Sequence, residues 1–191
     1  PARVEILIGD EIKASGNTVK SGDLATVLRF DGLKPQTEYA YDIAVDGERV
    51  FGEEGSRPRF RTFPSRVMVS RFEICFGGGA RYNHSKERIW NTIAARKPAA
   101  FLWLGDNLYI DDPKSRTRQR TYYYRRQLRP EFRRLVARSA QYSIWDDHDF
   151  GANDVSGGIA VDKPEWKIPV WRVFKENWAN PAYGGGEKNP G

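Results

Sequence analysis

Residues 145–149 read Trp-Asp-Asp-His-Asp, at the end of an apolar run that includes Tyr142 and Ile144. Three carboxylates and one of the chain's two histidines occupy four consecutive positions. Adjacent carboxylates repel, and burying them without a cation is strongly unfavourable. A metal ion removes that objection, because carboxylate oxygens are good ligands for hard cations. A histidine beside them can give a proton to a leaving oxygen or hydrogen-bond an anionic group. The block therefore points to metal-assisted chemistry.

The elements that must position it follow a strand–helix alternation after Pro64. Residues 67–76 read as a strand running into Gly77-Gly78-Gly79. Ser85 is a candidate cap for a helix with Ile89, Trp90 and Ile93 on one face, ended before Pro98. Residues 100–104 form a continuous apolar run, as expected of a strand buried on both faces. Two arginine-rich helices follow, divided at Pro130, which suits a first helical position. Residues 142–145 make a third strand. Residues 166–178 read as a helix stopped by Asn180-Pro181, and the remainder from Gly184 to Gly191 as loop.

Strands alternating with helices predict a parallel sheet, whose ligands gather beyond the carboxyl ends of the strands. The first end delivers Cys75. The second delivers Gly105-Asp106-Asn107-Leu108-Tyr109, and the third Asp146-Asp147-His148-Asp149. Neighbouring strands lie roughly 5 Å apart, so residues past three such ends can surround one or two ions. Asp106 has two oxygens and can bridge two metals. A Cys75 thiolate and a Tyr109 phenolate suit Fe(III), or another strongly Lewis-acidic ion, better than Ca2+. Asp147 can bind a second metal, and paired metals stabilise both oxygens of an in-line displacement.

Before Pro64 the pattern changes to period two. Tyr39, Tyr41, Ile43 and Val45 share one face of an expected strand, Asp46-Gly47 is a hairpin-type turn, and Phe60 to Phe63 resumes an extended pattern. The lead from Leu33 to Tyr39 resembles the tyrosine corner of fibronectin type III sandwiches, with Tyr39 as the corner residue. Such a domain is usually longer than this segment, so its first strand or two are expected to lie outside the chain. The expected organisation is therefore α+β and multi-domain. Residues 1–66 form a small fibronectin-III-like β-sandwich, and 67–191 the first half of an α/β sandwich.

Gly105-Asp106 followed by Asp146-Asp147-His148-Asp149 resembles the metallophosphoesterase pattern. With a cysteine at the first strand end, Gly-Asp-x-x-Tyr, and Asn153-Asp154 shortly after the acidic block, the chain is similar to the PhoD-like alkaline phosphatases. That family also carries a small β-sandwich in front and a segment like Asn177-Trp178-Ala179-Asn180-Pro181 behind. The resemblance implies a metal-dependent phosphoesterase in which a metal-bound hydroxide attacks a phosphomonoester or phosphodiester. It implies Cys75, Asp106 and Tyr109 around an iron, Asp106 and Asp147 around a second metal, often calcium, and His148 as the acid or phosphate contact. Asn107, Asp146, Asp149 and Asn153 stand as substrate or supporting contacts. Fe(III) with Ca2+ is the expected pair, with Mn2+ and Zn2+ as alternatives. The family takes further histidine and aspartate ligands from strands after the third. The expected partner is therefore the remaining C-terminal half of the catalytic domain, in the same gene product or a separate chain. Export to the periplasm, cell surface or medium is a further implication.

Other readings stand beside this one. Cys75 alone packs well as a small hydrophobe. His84 reads as a surface or capping residue, and the glycines at 77–79 as a tight turn or a backbone cradle for phosphate. The net charge of +6 is concentrated in nine arginines between Arg116 and Arg138. These suit a solvated helix face whose field draws anionic substrates, or a polyanion-binding surface, with nucleic acid entering as substrate. A non-catalytic polyanion-binding or adhesion module, and a metal-dependent esterase on the same fold, are the competing functions. The single cysteine excludes an internal disulfide, and no apolar run reaches the ~18 residues of a membrane helix.

Overall fold

The computed structural model describes residues 1–52 and 57–188; residues 189–191 of the expected terminal loop lie outside them. The chain divides into two compact units, Pro1–Phe72 with Ala137–Ser139, and Glu73–Val136 with Ala140–Gly191.

The first unit is built from short antiparallel strands. β1 (Arg3–Ile8) and β2 (Glu11–Asn17) form a hairpin that the sequence reading did not anticipate. The expected strand through Tyr39 breaks at Tyr41 into β3 (Glu38–Ala40) and β4 (Asp42–Val45). β4 pairs with β1 and with β5 (Glu48–Arg49), giving the order β2-β1-β4-β5, whereas β3 pairs with β6 (Arg59–Arg61) in a separate two-stranded sheet. Within β4 the expected alternation holds: Asp42 and Ala44 share the buried face and Val45 is exposed. The Asp42 carboxylate accepts the N–H groups of Ile43 and Phe51 and faces Arg57 at 3.5 Å. Asp46 and Gly47 both take positive φ, as a two-residue I′ hairpin turn requires. The Tyr39 hydroxyl accepts the Lys34 N–H at 2.9 Å, a hydrogen bond reaching five residues upstream.

The strand expected over 67–76 starts only at Ile74, in the second unit, and residues 67–72 belong to the first. Ser65 to Met68 closes a turn instead, and Val67 and Val69 stand in solvent. β7 (Ile74–Gly77), β8 (Ala100–Leu104) and β9 (Ala140–Ile144) form a parallel sheet in that order. α1 (Ile89–Ala95), α2 (Arg116–Gln127), α3 (Pro130–Val136) and α5 (Lys167–Asn177) contribute to one core with it; α4 (Asp147–Phe150) is a single turn. Ser85 does not cap α1: its N–H and hydroxyl bind Asn83, and turns fill residues 84–88. Ser115 caps α2 by accepting the Arg118 N–H.

The core lies on one face of this sheet. Phe101 and Trp103 of β8 meet Trp90, Tyr123, Phe132, Leu135, Phe174 and Trp178. The other face carries Ile74, Phe76, Leu104, Tyr142 and Ile144, all exposed. β8 is therefore covered on one face, not both. Beyond α5 the Asn180 amide accepts the Ser143 N–H at 2.9 Å and donates to the Ser143 carbonyl at 2.6 Å, closing part of the β9 edge as a strand would. A short 3-10 turn, Gly186–Lys188, interrupts the expected terminal loop. No helix among the described residues is long and apolar enough to cross a membrane.

Candidate metal centre

Two strand ends bring the acidic residues together. After β8 the chain turns sharply at Gly105, whose φ is +93°. A Cβ there would stand 2.6 Å from the Asp146 Cβ, so only glycine lets the two loops approach this closely. Asp106 follows, then Asn107 and Leu108, both buried. After β9, Asp146 caps α4 and shares a capping box with Asp149.

The Asp149 carboxylate is 5% exposed and binds the two loops to each other. It accepts the backbone N–H of Asn107 at 2.9 Å, that of Leu108 at 3.0 Å, and the Asn107 side-chain amide at 2.9 Å. Burial pushes its pKa up to about 7, against the backbone N–H groups that favour its charge. In return the carbonyl of His148 accepts the N–H groups of Ile110 and Asp111 at 3.0 and 3.3 Å.

This cross-bracing brings Asp106, Asp147 and His148 to a point where a ligand atom from each lies within 4.8 Å of the others. One oxygen of Asp106 is buried without a hydrogen-bond partner among the described residues. Asp147 accepts the N–H of His148 at 2.9 Å and that of Asp154 at 2.5 Å, and these donors, Asp154 foremost, hold its carboxyl below the usual range. Tyr109 lies beside the group. Its phenol is raised, first by a hydrogen bond with Asp106 and then by burial and the surrounding carboxylates. Its ring stacks on His148, centroids 4.2 Å apart and planes at 29°. An acidic oxygen with no protein donor, beside a second ionised carboxylate, an imidazole and a phenol, is a donor set that fits a hard or borderline cation.

Asp111 was not among the residues singled out from the sequence. Its carboxylate meets His148 Nδ1 at 2.5 Å, and this hydrogen bond is the main reason the imidazole is held above its ordinary value. The available signal was its position two residues after Tyr109, in the same loop. Asp106, Tyr109, Asp111 and Asp154 all take φ between +52° and +62°. Left-handed backbone costs roughly 1–2 kcal/mol per residue outside glycine, somewhat less for aspartate, and such strain concentrates at functional sites.

The other candidates fall elsewhere. Cys75 is not brought into the group: its side chain packs against the apolar core, beside an open cleft of about 460 Å³ that Ile89, Trp90 and Ile93 also line. Asn107 is wholly buried and supports the loop from beneath. Asp146 is exposed and serves as the cap. Asn153 is exposed and donates to Asp154. The Gly79 and Ala80 N–H groups are already bonded to the carbonyls of Gly105 and Asp106, so this turn is a staple, not an open cradle. His84 is exposed beside Arg129.

Several arginines of the basic run are engaged within the molecule. Arg126 is buried against Glu87 and also donates to the carbonyls of Asn107 and Ala80, tying both loops to α2. Arg120 pairs with Glu176, Arg129 with Glu131, and Arg134 binds Asn91. Arg125 is stacked over the rings of Tyr122 and Tyr82. Much of the positive charge therefore holds the helices together.

The architecture recurs in solved structures. The structure of PhoD matches with a TM-score of 0.75 and 17% identity, over 100% of this chain and 41% of that one. The purple acid phosphatase PPD1 from yellow lupin (Lupinus luteus) seeds matches with a TM-score of 0.59 and 11% identity, over 98% and 36%. The chain thus shares the fold of part of each of these proteins, and spans less than half the length of either. No protein-family model and no curated protein matches the sequence.

Proposed function

We propose that this chain carries the metal-binding portion of a PhoD-like metal-dependent phosphoesterase acting on phosphomonoesters or phosphodiesters. The observation that carries the reading is the convergence of Asp106, Asp147 and His148 within 4.8 Å, with a buried oxygen of Asp106 left unmatched. The fold shared with PhoD and a purple acid phosphatase supports it.

Asp106 and Asp147 would hold the ions, with the Tyr109 phenol adjoining Asp106. Fe(III) with Ca2+ is our assignment, since a phenol favours the harder trivalent ion; Mn2+ and Zn2+ are the alternatives. When bound, the ions supply Lewis-acid stabilisation of charge on the phosphoryl oxygens and lower the pKa of an attacking water. His148 is the proton donor. Its Nδ1 is occupied by Asp111, which leaves Nε2 to protonate the leaving oxygen. Asp111 and the stacked ring of Tyr109 fix the plane of the imidazole, and the N–H groups of Asp154 and His148 keep Asp147 ionised.

The exposed apolar face of Phe76, Leu104, Tyr142 and Ile144 supports a partner reading: the remaining half of the catalytic domain packs there and brings further ligands. The Tyr39 to Lys34 hydrogen bond supports a fibronectin-III-like front domain over 1–66. Secretion, or display in the periplasm or on the cell surface, rests on the family resemblance.

The test compares aryl phosphate with aryl acetate hydrolysis by the full-length protein and its Asp147→Ala and His148→Ala variants. The reading expects phosphate hydrolysis to fall at least a hundredfold in both, on the order of a lost general acid or metal ligand. If only acetate hydrolysis fell, the protein would be an esterase.

A further inference from the structure

One guanidinium stands beside the centre without a polar protein partner of its own among the described residues. Arg81 is exposed, and its guanidinium carbon lies over the Tyr109 ring, 5.9 Å from the centroid. Among the described residues the group has no hydrogen bond or ion pair, although Asp106, Asp111 and Asp147 all belong to the same site. Arg120, Arg126, Arg129 and Arg134 each take a side-chain partner.

The backbone under Arg81 is fixed. The Gly79 N–H donates to the Gly105 carbonyl at 3.3 Å, the Ala80 N–H to the Asp106 carbonyl at 2.8 Å, and Arg126 holds the Ala80 carbonyl at 2.6 Å. The Arg81 N–H closes the turn onto the Gly79 carbonyl. Arg81 thus has a root stapled to the Asp106 loop and a head left free at the rim. Once cations neutralise Asp106 and Asp147, the guanidinium is an added positive group able to meet an anion there. Its forked N–H donors match two oxygens of one phosphoryl group.

We propose that Arg81 is a substrate contact, binding nonbridging oxygens of the phosphoryl group from the rim above Tyr109; the inference rests on the phosphoesterase reading. Inorganic phosphate is the probe, titrated calorimetrically into the metal-loaded full-length protein. Arg81→Gln should weaken phosphate binding roughly ten- to a hundredfold, the loss of a charge-assisted pair, with metal content unchanged. Arg81→Lys should recover part of it, keeping charge without the fork. Arg116→Gln, at the start of α2, should match the wild type. Toward aryl phosphate, Arg81→Gln should raise KM far more than it lowers kcat.

Unchanged phosphate affinity in Arg81→Gln overturns the inference and leaves the phosphoesterase reading intact. Loss of metal in that variant overturns it too, because Arg81 would then be a support of the centre. A wild type that cleaves no aryl phosphate, yet loses phosphate affinity with Arg81→Gln, retains the contact and removes the reaction.

Discussion

One oxygen of Asp149 accepts both the backbone N–H and the side-chain amide of Asn107, each at 2.9 Å. This pair joins the loop after β8 to α4, and so sets Asp106 and Tyr109 against Asp147 and His148. Asp149→Ala leaves the backbone N–H groups of Asn107 and Leu108 without their acceptor and removes one of the acceptors of the Asn107 amide. We expect a loss of roughly 2–4 kcal/mol in urea unfolding and about a tenfold weaker metal affinity. A variant with full stability and metal affinity would show that the loops hold their places without this carboxylate.

Asp111 sets the charge of His148. The imidazole is raised, first by its hydrogen bond to Asp111 and against the effect of burial. In the metal-free chain, a raised histidine contributes stability that is full below about pH 6.5 and lost as the pH rises through its folded value. Asp111→Asn brings that value down, so its deficit against the wild type should be present near pH 5.5 and vanish toward about pH 9. With His148 as proton donor, the alkaline limb of the pH–rate profile should also move to lower pH. Thermal unfolding across this range, with turnover measured in parallel, checks both. An unshifted limb would remove His148 or its partner from the assignment.

Gly105 and Gly47 separate close approach from backbone strain. Both take φ near +90°, but a Cβ at Gly47 meets nothing within 4 Å, while one at Gly105 meets Asp146 at 2.6 Å. Gly105→Ala should therefore destabilise more than Gly47→Ala, by about 1–3 kcal/mol, and should weaken metal binding as well. Equal losses in denaturant unfolding would mean that the two loops do not need to touch here.

The uncovered sheet face predicts the behaviour of the chain alone. With Phe76 70% and Ile144 59% exposed, the isolated chain should bind a hydrophobic dye and self-associate. Phe76→Ser with Ile144→Ser should reduce both while leaving the far-UV spectrum unchanged. In the full-length protein the same pair should weaken metal retention. Retention equal to wild type would place the rest of the protein elsewhere.

Local patterns were the legible part of the sequence. The β8 run, Pro130 at the start of α3, and the Asp46-Gly47 turn each depend on a few neighbouring residues, and each appears where expected. Features set by tertiary register were not legible. Alternation runs unbroken through Tyr41, so nothing local marks the change of sheet. Val67 and Val69 are apolar enough for a strand but pair with none. Cys75 looked level with the other strand ends, but β7 continues to Gly77, and its pairing with Phe101 aligns the thiol with the core. Within the acidic block, composition pointed to metal chemistry. Which carboxylate is ligand, cap or brace depends on the α4 turn, and on Asp149 being the one directed inward.

The central claim is that Asp106 and Asp147 hold metal. Elemental analysis of the full-length protein, purified from metal-supplemented medium, tests it most directly. The account predicts at least one tightly held ion per chain in the wild type, and loss of that content in Asp106→Ala and Asp147→Ala variants that remain folded. Metal-free wild type, or a content that neither substitution changes, would contradict it.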